Sequence, residues 1–104
     1  MDKNLLGTLL EKAKTVLRIT TSAFDDEIED IIEAGFYDLT TRGVIIDQTD
    51  LSPLVLRAIM TYVKMHFGEP ENPERLQRSY AEQRGQLMTT TGYTNWEGLS
   101  DGQI

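Results

Sequence analysis

Apolar residues recur at intervals of three and four along four stretches of this chain, and that recurrence restricts the fold more than any other feature. A 3.6-residue period places such positions on one face of an α-helix, which must then be buried against something. In the first stretch Leu5, Leu6, Leu9, Leu10, Ala13, Val16 and Leu17 form the stripe, with Glu11, Lys12, Lys14 and Arg18 off it. The second stretch carries Ile28, Ile31, Ile32, Gly35, Phe36 and Leu39. Gly35 weakens a helix by about 1 kcal/mol relative to Ala, so its place within the stripe points to close approach of another helix. The third carries Val55, Leu56, Ile59, Met60, Val63 and Phe67, widened by Leu54, Tyr62 and Met65. It is apolar around most of its girth, which assigns it to the middle of a bundle. Leu76, Tyr80, Leu87 and Met88 line the fourth, and the methionines at 60, 65 and 88 read as core filler.

Local signals set the ends of these helices. Ser52-Pro53 and Asn72-Pro73 each place a capping side chain before a proline at the first helical position. Ser22, with Asp25 three residues on, reads as the start of the second helix through a capping box. Gly43 and Gly68 read as stops. Val44-Ile45-Ile46 is too short to build a sheet, so it is expected to be an extended connector with its side chains under the helices. The expected fold is all-α: a small bundle of about four helices with short connections and an irregular C-terminal tail, residues 92–104, all in one domain spanning residues 1–104.

Composition narrows function. At 104 residues a single domain is expected, and 17 Asp and Glu against 10 Lys and Arg leave a net charge of −7. That balance opposes a grip on nucleic acid, which requires cations to displace phosphate counterions, and adhesion to an anionic membrane. No stretch is long and apolar enough to span a bilayer, and the amino terminus lacks the apolar run of a signal peptide. With no Cys and one His, disulfides, thiolate zinc sites, thiol catalysis and a His-dependent triad fall away. No cofactor is expected, and enzymatic activity is not.

The acids are unevenly placed. Asp25, Asp26, Glu27, Glu29, Asp30, Glu33 and Asp38 lie in the second helix, and no Lys or Arg occurs between Ser22 and Thr41. Asp26, Glu29, Asp30 and Glu33 share one face. A Mg²⁺-dependent nucleotide hydrolase would need a second acidic helix opposite, and none occurs from Pro53 to Gly68. The acidic face therefore reads as a solvated or partner-facing surface. Lys12, Lys14 and Arg18 give the first helix the opposite sign, so the two could pair head to tail between copies or within one chain. Tyr93 and Trp96 could either fold back on the bundle or anchor a neighbouring subunit.

Leu17-Arg18-Ile19-Thr20-Thr21 followed by Phe24-Asp25-Asp26-Glu27-Ile28, then Pro53 to Lys64 with Phe67-Gly68, form a familiar order of segments. Arg75-Leu76, Ser79-Tyr80, Glu82-Gln83, Gln86-Leu87 and Thr91-Gly92-Tyr93-Thr94 with Trp96 complete it. From Leu5 to Trp96 the chain resembles the head–tail connector (adaptor, or DNA-packaging) proteins of tailed phages and prophages. The resemblance implies an all-α subunit in a ring of its own copies, a dodecamer in the virion. That ring would sit beneath the portal protein after DNA packaging and dock a neck or tail-completion protein. DNA would pass through its channel without specific binding, and no membrane would be involved. Assembly would take place in the bacterial cytoplasm and the final location would be the head–tail junction. An acidic helix face suits a channel lining that does not hold phosphates, and equally suits pairing with a neighbour. The alternative is a small acidic helical regulatory module with a basic protein partner.

Overall fold

A computed structural model of the chain, which describes residues 2–89, contains four helices. They are α1 (Lys3–Leu17), α2 (Asp25–Thr41), α3 (Pro53–His66) and α4 (Pro73–Thr89). The expected all-α bundle is present, and no strand occurs among the described residues. The tail, with Tyr93 and Trp96, lies outside the described residues.

The proline-led starts are as expected. Ser52 Oγ accepts a hydrogen bond from the Leu54 amide at 3.1 Å, and Asn72 Oδ1 accepts from that of Arg75 at 3.2 Å. Asp2 caps α1 by accepting from the Leu5 amide at 3.2 Å. The start of α2 departs from the expectation. Ser22 is not its cap; the helix begins at Asp25, and Phe24 occupies the cap position without a side-chain bond. The Phe24 ring instead meets Phe67 edge to face at 5.6 Å, tying the α1–α2 turn to the end of α3. Asp25 is consequently free to pair with α1 rather than with its own helix terminus.

Two helices end in the same hydrogen-bonded motif with different residues. After α2, Val44 N–H donates to Leu39 O and Gly43 N–H to Thr40 O, with Gly43 at φ +94°. After α1, Ile19 N–H donates to Lys14 O and Arg18 N–H to Thr15 O, with Arg18 at φ +60°. A side chain in that left-handed region costs about 1–2 kcal/mol. Arg18 is the one non-glycine residue among those described that adopts it.

Helix α3 is central and packs on the other three. Leu9, Leu10 and Ala13 from α1, Ile28, Ile32, Phe36 and Leu39 from α2, and Val55, Ala58, Ile59 and Val63 from α3 join Tyr80 and Leu87 of α4 in one core. Each fully buried aliphatic side chain stabilises it by about 1.5–3 kcal/mol. Gly35 has the expected role: a Cβ there would sit 3.1 Å from the Tyr62 ring and 3.2 Å from Ile59. The connector after α2 is only partly buried. Val44 enters the core, Ile46 packs at its edge, and Ile45 is half exposed because an extended segment turns alternate side chains outward. Met60 and Met65 pack against the core, whereas Met88 is exposed.

Candidate functional site

Six of the seven acidic residues of α2 divide into two sets that differ in what they touch. Asp25, at the start of the helix, forms an ion pair with Lys14 of α1 at 3.0 Å, and the Lys14 side chain is largely buried. Lys14 therefore spends its charge within the chain. Asp38, near the other end, accepts a hydrogen bond from the Tyr80 hydroxyl at 2.5 Å and one from Arg42 Nε at 3.2 Å. Arg84 lies 3.7 Å from the same carboxylate and its guanidinium also covers the Tyr80 ring. Burial raises the carboxyl pKa of Asp38, but the Tyr80 hydroxyl and the Arg42 and Arg84 guanidiniums outweigh it and hold the group below its ordinary value. Tyr80 shifts the other way: burial, then the Asp38 carboxylate, push its phenol far above the usual range. The cluster joins α2 to α4 across the end of α3, where the Tyr62 ring meets that of Tyr80 edge to face at 5.3 Å. Arg42 is only four residues from Asp38, but Tyr80 and Arg84 lie more than forty residues away, so local spacing could not identify the cluster.

The second set is Asp26, Glu29, Asp30 and Glu33. The structure places these four along one stripe of α2, all exposed except the half-buried Glu29. None of them forms an ion pair with any described residue. Tyr37, four residues past Glu33, continues the stripe and is 73% exposed. Gly35 and the buried residues of α2 lie on the opposite side of the helix, against α3. The stripe thus faces away from the body of the bundle.

Across the molecule, α1, α3 and α4 leave an open groove of about 840 Å³. Leu17, Met60, Phe67 and Leu76 contribute apolar surface to it. Arg18, Arg57, Lys64 and Arg75 surround that surface, outnumbering the two carboxylates, Glu69 and Glu71. Arg57, Met60, Thr61 and Lys64 lie on one stripe of α3, and Ile59 and Tyr62, which meet Gly35 of α2, lie on the other side of that helix. The order through the subunit is therefore acidic stripe, α2, α3, cationic groove. None of the four cations is ion-paired with a described residue.

Of the cationic residues that the sequence singles out, only Arg18 reaches the groove; Lys12 is exposed elsewhere on α1. The sequence reading missed Arg57, Lys64 and Arg75. Their signal was the seven-residue spacing of Arg57 and Lys64, two turns apart on an otherwise apolar helix. Among the described residues no group of three or more His, Cys, Asp or Glu is arranged to hold a metal ion, and no helix is long and apolar enough to cross a membrane. His66 ends α3 with its ring tilted against that of Tyr62, the centroids 4.3 Å apart.

The profile of a family described as "Phage connector protein" matches residues 9–94 of this chain. No curated protein and no solved structure matches it. The family match takes in the whole acidic stripe and every residue of the groove.

Proposed function

The chain belongs to the phage connector protein family, and from that premise we propose that it is a head–tail connector that forms a ring beneath the portal. Membership gives it a structural role among the head and tail proteins of a phage virion. In the proposed role the ring prolongs the DNA channel after packaging and presents a surface to a neck or tail-completion protein. It acts without catalysis or cofactor, at the head–tail junction, after assembly in the bacterial cytoplasm.

The observation that supports this reading is the separation of unpaired charge onto opposite sides of one small subunit. A monomeric regulatory module would need one charged face for its partner. Two opposed faces of opposite sign suit a heterologous contact, in which each copy uses one surface on its left and another on its right. Such contacts close into a ring when the rotation between copies permits. A subunit of this size also gains from burying further surface against neighbours, because a short chain hides a limited share of its own.

Deletion of the coding sequence from the phage, followed by electron microscopy of the lysate, tests the role. The expected result is filled or leaking heads separated from tails, with the chain present at the junction of wild-type particles. Intact tailed particles from the deletion would overturn it.

A further inference from the structure

We infer that the acidic stripe of α2 in one copy docks into the cationic groove between α1, α3 and α4 of the next copy. The inference rests on the connector reading and gives its ring a specific subunit contact.

Three independent features of the chain support this occupant. The first is matched charge at matched spacing. Asp26 and Glu33 are seven residues apart on α2, and Arg57 and Lys64 are seven residues apart on α3. Both pairs therefore span about 10 Å along a helix. Arg18 and Arg75 flank the groove pair, as Glu29 and Asp30 fill the interval of the acidic pair. The second feature is an anchor. Tyr37 projects from the same stripe as the carboxylates with nearly three quarters of its surface in solvent. The groove offers apolar surface from Leu17, Met60, Phe67 and Leu76 and guanidinium groups beside it. A tyrosine enters such a surface well, burying its ring and keeping its hydroxyl near polar groups. The third feature is Arg18, which holds a backbone conformation that glycine adopts without cost, and does so at the groove. A strained arginine retained beside unpaired cations fits a binding role better than a folding one.

The stripe and the groove lie on opposite sides of α2 and α3, so one chain cannot join its own two surfaces. Docking is necessarily between copies and head to tail. The same carboxylates then lie within the subunit contacts, which leaves the channel lining to other residues.

Sedimentation equilibrium of the full chain at low and high salt tests the contact. Wild type is expected to associate at high concentration and to lose association as salt rises. Either reversal, E29K with E33K or R57E with K64E, weakens association by at least about tenfold through like-charge repulsion. Each variant keeps the helical circular dichroism of wild type, since Glu33, Arg57 and Lys64 are exposed and Glu29 is only half-buried. Mixing the two variants restores association, because the reversed stripe of one matches the reversed groove of the other. Absence of concentration-dependent association in wild type, reversals without effect, or a mixture that stays dissociated would overturn the contact. So would loss of association by Trp96→Ala alone with the reversals silent, which would give the groove to the tail. Incorporation of the chain into virions is scored in parallel. Incorporation with silent reversals removes this contact and leaves the connector role standing, whereas absence from virions removes the role itself.

Discussion

The two sets of carboxylates on α2 have the same chemistry and different fates. Asp38 lies on the flank of the helix beside α4, where a buried tyrosine and two arginines reach it. Asp26, Glu29, Asp30 and Glu33 lie on the far side from α3, where no described residue forms an ion pair with them. The difference shows how one helix serves two purposes. A carboxylate at the edge of a helix contact fixes the position of a neighbouring element, while one facing outward leaves its charge for another molecule. The termini of α1 and α2 repeat the lesson: a glycine takes the left-handed position where only folding is at stake, and an arginine takes it at the groove.

Ways to break this contrast differ in size. The largest effect is expected from Ile59→Ala, which empties the α2–α3 seam that supports both regions. Urea denaturation should show a loss of about 2–5 kcal/mol. Asp38→Ala leaves the buried Tyr80 hydroxyl and two guanidiniums without their acceptor, and should cost about 1–3 kcal/mol by the same measurement. Asp30→Ala, about two turns away on the same helix, should stay within about 0.5 kcal/mol, as surface substitutions do. Equal losses from the two would erase the distinction.

Titration sharpens it. The native carboxyl pKa of Asp38 lies below its ordinary value, so its contribution is present above about pH 4 and is lost as pH falls through the native value. The native phenol pKa of Tyr80 is raised, so its contribution is complete below about pH 10 and is lost at higher pH. Tyr80→Phe should therefore cost about 0.5–1.5 kcal/mol near neutrality and flatten the alkaline limb of a stability–pH profile. One effect has the opposite sign. Arg18→Gly relieves the left-handed backbone and should raise stability by up to about 1 kcal/mol in thermal melts, while weakening self-association. A variant that melted lower and associated normally would separate Arg18 from the groove.

Much of the fold was legible because its determinants are local. Apolar spacing and the pairs Ser52-Pro53 and Asn72-Pro73 act within a few residues, and Gly35 announced a close helix contact by its place in a stripe. The start of α2 was misread because Phe24 is drawn to Phe67, a partner far along the chain, and Ser22 had only local arguments in its favour. The acidic stripe was legible as a face of one helix. Its counterpart was not, since the groove takes Arg18, Arg57, Lys64 and Arg75 from three helices and exists only once they pack. The hydrogen bond from Tyr80 to Asp38 spans 42 residues and was hidden for the same reason.

Zero-length carbodiimide cross-linking of the concentrated full chain, read by mass spectrometry, tests the central claim most directly. Lys64 is the one lysine in the groove, and the charged side chains of the stripe are all carboxylates. An equal mixture of ¹⁴N- and ¹⁵N-labelled protein identifies links between copies. The contact predicts mixed-isotope links from Lys64 to Asp26, Glu29, Asp30 or Glu33. Links from Lys64 only to Glu97 or Asp101 of the tail, or no link from Lys64 to the stripe at any concentration, would contradict it.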